Sequence, residues 1–266
     1  MLLDFNRLGA LRYLLAGIGV LVGLFLLLPI ALIVALSFGS SQWLQFPPPA
    51  WTLKWYAKLF ADPDWLIAFL TSLEIAAVVM VLSTLIGLMA SFGLTRGRFP
   101  GREFLRALFL TPMVLPVVVF AIAVYAFFLR LGLGGTTLGF VLAHTVLALP
   151  FAIIPIATAL EGFDKSIEDA AIVCGASPLQ AKLRITLPSI RIGIFSAAIF
   201  SFLASWDEVV VAIFMASPTL QTLPVKIWGS LRSDLTPVIA AASSLLVGLT
   251  LALMVATALL RRKLQT

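Results

Sequence analysis

The run Asp169-Ala170-Ala171-Ile172-Val173-Cys174-Gly175-Ala176-Ser177-Pro178, continued by Ile185-Thr186-Leu187-Pro188, decides how the rest of the chain is read. It is polar and helix-like, and it interrupts long apolar runs on either side. Two small alanines follow an acid, and small side chains let the backbone of a partner come close. Gly175 supplies a turn that residues with a Cβ resist. Asp169 is expected to favour the first turn of a helix, and Pro188 to stop or kink one. Such a segment reads as a short knob presented to something outside the membrane.

The membrane follows from composition. The chain is 61% hydrophobic and 11% charged, far from an ordinary soluble domain. About 20 apolar residues span a hydrocarbon core as a helix. Six runs meet that length: Tyr13 to Leu36, Leu66 to Leu94, Leu105 to Leu129, Thr136 to Ala159, Arg191 to Ala216 and Pro237 to Leu260. The first is too long for a signal-peptide core and is read as a retained helix. The expected fold is an all-α polytopic membrane protein with six transmembrane helices. Three regions follow: residues 1–65 (first helix and external loop), 66–260 (a five-helix core carrying segment 160–190) and 261–266 (a tail).

The net charge of +6 does not point to nucleic acid, because the basic residues lie at the ends of the apolar runs. An even number of spans puts both termini on one side. That side holds thirteen of the eighteen Lys and Arg, grouped at Arg7 and Arg12, Arg96 to Arg106, Lys165 to Arg191, and Arg261 to Lys263. The bias makes the termini and segment 160–190 cytoplasmic. The loop 37–65 then faces outward, kept extended by Pro47, Pro48 and Pro49. Its Trp43, Trp51, Trp55, Tyr56 and Trp65 fit an interfacial belt. Inside the third run, Thr111-Pro112-Met113-Val114-Leu115-Pro116 should break the helix, either as a packing kink or as the lining of a pathway.

The single Cys174 excludes an intramolecular disulfide and a cysteine metal cluster. No G-x-x-x-x-G-K-[ST] phosphate loop is present, so the chain does not bind ATP in that manner. One His and one Cys make neither a nucleophile–base pair nor a metal set, and no catalytic residue or metal ligand is expected.

The cytoplasmic segment resembles the signature of the permease subunits of ABC importers: an acid-Ala-Ala, three residues, Gly, nine residues, Ile-x-Leu-Pro. Here it stands as Asp169-Ala170-Ala171, Gly175, Ile185 and Leu187-Pro188, with Asp where Glu is commonest. The resemblance implies a type I ABC importer permease fold in a bacterial inner membrane. It implies that Asp169, Ala170, Ala171, Gly175, Ala176, Ser177, Pro178, Leu187 and Pro188 dock on a separate ATPase, which holds ATP and Mg. The partners implied are a second homologous permease, two ATPase subunits and an external solute-binding protein. A stand-alone secondary transporter is the rival, but it leaves the knob without a purpose.

Intramembrane acids bear on the solute. Glu74 lies inside the second run, and Ser205-Trp206-Asp207-Glu208 inside the fifth. At ~1.5 Å per residue, Asp207 climbs roughly 24 Å from Arg191. Carboxylates in a membrane are costly and face a cavity or a partner. Two readings stay open for Asp207 and Glu208: lining a pathway for a cationic solute, or pairing with a helix end or neighbour. For Glu74 the structural reading is preferred, and Lys226 is one cation that could neutralise an acid. His144 is read as a hydrogen-bonded packing residue, with no acid near it in sequence. Trp51-Thr52-Leu53-Lys54-Trp55-Tyr56, Ser205 to Val210 and Thr222 to Trp228 resemble the spermidine/putrescine permease group. That implies a small polycation and a pathway containing Trp206, Asp207, Glu208 and Glu74. An amino-acid-like, phosphonate or metal-complex solute is the alternative.

Overall fold

The structure, a computed structural model, describes residues 11–233 and 236–265, with side chains as far as Leu259. The expectations for Arg7 and for the Arg261 to Lys263 side chains fall outside the described residues. All regular structure described is helical: α1 (Leu11–Ser37), α2 (Lys54–Ala61), α3 (Pro63–Arg96), α4 (Arg102–Val114), α5 (Val117–Arg130), α6 (Thr137–Glu161), α7 (Lys165–Val173), α8 (Pro178–Ala181), a π-helical turn (Lys182–Thr186), α9 (Leu187–Ser189), α10 (Arg191–Trp206), α11 (Val210–Met215), α12 (Leu223–Ser233) and α13 (Pro237–Gln265). Among the described residues, four helices (α1, α3, α6 and α13) are long and apolar enough to cross a membrane, and two bent pairs raise the count to as many as six.

The chain divides into two compact units. One holds residues 11–62 and Ser230–Leu245. Its α1 is apolar on every side and buries only Ser37, so hydrocarbon or another protein must cover it. The loop after α1 is built rather than merely extended. Trp55 donates its indole N–H to the Gly39 carbonyl at 2.6 Å, and the Ser37 and Tyr56 hydroxyls meet at 2.7 Å. Trp43 and Trp51 are exposed as an interfacial belt requires, but Trp55 and Trp65 are each buried at 7% exposure. The belt expectation is therefore corrected for Trp65, which is buried at the start of α3, and for Trp55, whose ring holds the loop together.

The other unit, Pro63–Gly229 with Leu246 onward, is built around α3, α6 and α10. Along α3 the buried positions include Ser72, Ala76, Ser83, Gly87 and Ser91, which fall on one helical face. Lipid gives helices no hydrophobic reason to associate, so small residues and interhelical hydrogen bonds do the work. The Ser91 hydroxyl donates to the Ile153 carbonyl at 3.2 Å. A Cβ on Gly87 would sit 2.6 Å from that of Ala152, and one on Gly193 would sit 2.5 Å from that of Ala159 and 3.0 Å from the Pro155 carbonyl. Gly193→Val is expected to cost about 1–3 kcal/mol through overpacking. Thermal unfolding of the purified protein checks this, with Gly248→Ala, where a Cβ meets nothing within 4 Å, as the unaffected control.

The third run is broken, as its prolines require. Pro112 and Pro116 carry no N–H, so two rungs of one helix are missing. Leu115 is extended at ψ 141°, and α4 and α5 meet at 107°. Beyond the break, α5 packs on α11 through Tyr125 and Phe214, whose ring centres lie 6.0 Å apart.

Candidate functional site

The docking segment is assembled from local signals. Asp164 caps α7 by accepting from the Ser166 amide at 2.9 Å. That bond, more than the nearby Arg96, holds the Asp164 carboxyl below its usual range. The first-turn acid of α7 is Glu168, not Asp169 as expected, because the helix begins at Lys165. Asp169 lies one residue further, exposed and 3.9 Å from Lys165. At the other end, Ala176 donates to the Ala171 carbonyl and Gly175 to that of Ile172, each at 3.0 Å. This is a Schellman stop, and it sets Gly175 at φ +97°, where a Cβ is disfavoured.

Ser177 restarts the helix with a reciprocal capping box. Its hydroxyl accepts from the Gln180 amide at 3.3 Å, while the Gln180 side chain accepts from the Ser177 amide at 3.0 Å. Pro178 occupies the first helical position, which needs no N–H. After the π-helical turn the chain bends by 70° into α10. Pro188 thus sits just ahead of the bend, in keeping with a stop or kink.

Two contacts missed in the sequence fix this segment. The Thr186 hydroxyl donates to Glu168 at 2.7 Å, with both side chains buried, and so ties the second helical stretch to the first. Arg96 donates to the Leu160 and Phe163 carbonyls, each at 2.9 Å, capping the C-terminus of α6 where the segment begins. Both pairs are far apart in sequence, so no local pattern reveals them. Outward the segment presents Ile167, Ile172, Val173, Leu179 and Leu183, with Val173 88% exposed. Apolar side chains at that exposure on a polar segment mark an interaction surface.

The acids separate into distinct settings. Glu74 is exposed on α3. Asp207 follows the last residue of α10 and is exposed. Glu208 turns inward at 10% exposure, and its two oxygens accept from the amides of Val210, Val211 and Ala212 at 2.9, 3.0 and 2.9 Å. His144 is fully buried, with Nδ1 2.9 Å from the Ser205 hydroxyl and Nε2 3.6 Å from Glu208. The acid that sequence did not place near His144 is therefore present. Trp206 has no exposed surface: its ring stacks on Phe202 at 5.8 Å and meets Phe69 edge-on at 5.7 Å. Lys226 was expected to neutralise one of these acids. It pairs instead with Asp64 at 3.0 Å, because α12 lays it beside the start of α3.

A helical membrane body, a structured apolar-faced knob and acids at a helix break together describe a transporter component. Residues 83–265 match the binding-protein-dependent transport system inner membrane components, and the chain belongs to that family. It is an integral inner-membrane permease of the ABC importer type. It is 30% identical over 255 residues to the spermidine/putrescine transport system permease protein PotC of Escherichia coli K12, covering 94% of this chain and 95% of the relative. It is 32% identical over 231 residues to the putrescine transport system permease protein PotI of the same strain, covering 84% and 82%. Its fold matches a chain of a bacterial alginate ABC transporter solved with an alginate pentasaccharide-bound periplasmic protein. That match has a TM-score of 0.71 at 17% identity and covers 99% of this chain and 98% of the other.

Proposed function

We propose that this subunit carries polyamines, spermidine or putrescine, in a complex with a second homologous permease, two ATPase subunits and an external solute-binding protein. The observation that carries the coupling role is the capped helix–Gly175–helix knob with its exposed apolar face. Residues Asp169 to Pro188 lie against the ATPase, which binds ATP and Mg; this chain binds neither. With six spans the termini and the knob share one side, and the thirteen basic residues on that side support its being the cytoplasm. Closure of the ATPase pair moves the knob, and the helices switch the pathway between outward- and inward-open states.

The polyamine reading rests on the likeness to PotC and PotI and on acids exposed in a membrane-spanning body. A carboxylate in low dielectric favours a cationic amine strongly. Uptake of labelled spermidine by cells expressing this gene with its neighbouring transporter genes tests it. Saturable, ATP-dependent uptake that putrescine competes and neutral solutes do not is expected. An assembled, ATP-hydrolysing complex that takes up no polyamine would discard the solute and keep the importer.

A further inference from the structure

Neither the docking knob nor the acids use the turn between α3 and α4, Arg96-Gly97-Arg98-Phe99-Pro100-Gly101-Arg102. The turn and the start of α4 border a hollow of about 460 Å³ lined by Arg98, Phe99, Gly101, Arg102, Glu103 and Phe104. Arg98 is exposed and has no ion-pair partner among the described residues. Arg102 is held on one edge: its Nε and Nη2 donate to Glu103 at 3.1 and 3.0 Å, and Nη1 donates to the Gly97 carbonyl only at 3.5 Å. An exposed pair of that kind is weak, and a better-placed anion displaces it.

The surroundings of the hollow say which anion. Arg96, Arg98, Arg102 and Arg106 follow directly on the apolar α3, and so many cations are excluded from hydrocarbon. The turn therefore stands at the level of the headgroups. Beside the arginines, Phe104 is 70% exposed and Leu108 53%, four residues apart on one face of α4, and no α4 side chain is buried. Two guanidiniums next to an uncovered apolar face match the two halves of one molecule, a phosphate and an acyl chain. An acidic protein segment would satisfy the arginines and leave the apolar face bare.

We propose that this hollow binds one anionic phospholipid, with its phosphodiester between Arg98 and Arg102 and an acyl chain along Phe104 and Leu108. Basic pockets at the ends of membrane helices select such headgroups. A choline headgroup brings its own cation and gains less from the two arginines. Glu103 lines the same hollow and opposes binding, because it competes with the phosphate for Arg102 and repels it. The site depends neither on the solute nor on the docking role of the knob.

Native mass spectrometry of the detergent-purified transporter, titrated with phosphatidylglycerol, phosphatidylcholine or inorganic phosphate, tests this. Phosphatidylglycerol should bind more tightly than phosphatidylcholine. Arg98→Ala is expected to weaken phosphatidylglycerol binding about fivefold and to leave phosphatidylcholine within about twofold. Arg98 holds no ion pair within the described chain, so this change leaves the fold intact. Glu103→Gln is expected to strengthen phosphatidylglycerol binding about twofold, a gain that misfolding cannot produce. Arg106→Ala removes an equal charge from outside the hollow, where Arg106 pairs with Glu161 at 3.4 Å, and should leave binding within about twofold.

Equal affinity for the two lipids overturns the proposal, as does an Arg106→Ala loss that matches Arg98→Ala. Displacement of the lipid by an equal concentration of inorganic phosphate would make this a free-anion site and overturns the lipid assignment. Unchanged lipid binding in Arg98→Ala, with loss of the co-purifying ATPase, overturns it in favour of a protein partner.

Discussion

Gly175→Asp is expected to leave the protein in the membrane and to reduce uptake tenfold or more, a loss of about 1.4 kcal/mol or more in productive docking. Gly175 is the left-handed residue of the Schellman stop at φ +97°, and no heavy atom lies within 4 Å of where its Cβ would be. The site is therefore open, and the only local cost of a side chain is conformational, about 1–2 kcal/mol. Asp and Asn tolerate the left-handed region better than other residues, so the turn survives. On the docking role proposed above, what changes is the surface offered to the ATPase, which gains a charge on the segment that exposes Ile172, Val173 and Leu179. Gly175→Asn separates the two causes, since it shares the backbone cost without the charge. ATPase pull-down and uptake, measured together, should fall in Gly175→Asp and stay closer to normal in Gly175→Asn. Normal association and uptake in Gly175→Asp would remove the knob from coupling.

That knob was the most legible part of the sequence, because every signal in it is local. Small residues, a glycine and a capping serine act within a few residues of where they stand. The break at Pro112 and Pro116 was legible for the same reason: a missing N–H is a property of the residue itself. The break after Trp206 was not. It contains no proline or glycine, and it exists because Glu208 turns back onto three amides while His144 arrives from α6. The run from Arg191 to Ala216, apolar apart from Asp207 and Glu208 and long enough for one span, concealed it. The same limit hid Arg96 on the end of α6 and placed Lys226 with the wrong acids, since both depend on which helix ends meet. Asp169 was assigned to a first turn because the start of α7 is set by Asp164, five residues upstream, outside the quoted motif.

Glu168→Ala is expected to uncouple the transporter by a different route. The Glu168 carboxylate and the Thr186 hydroxyl are buried together 2.7 Å apart, and they join α7 to the π-helical turn that leads into α10. Removing one partner leaves the other buried and unpaired, at a cost of about 1–3 kcal/mol. Replacing both, as Glu168→Ala with Thr186→Val, removes the orphan and should cost less than the sum of the single changes. The exposed face of the knob is untouched, so the ATPase should still bind and still hydrolyse ATP. Only the connection from the knob to α10 is loosened. Solute moved per ATP hydrolysed should therefore fall several-fold in Glu168→Ala, whereas Gly175→Asp should lose ATPase association itself. A Glu168→Ala transporter with normal stoichiometry would mean that motion passes to the membrane helices without this bond, leaving the covalent path through Ile190 as the route.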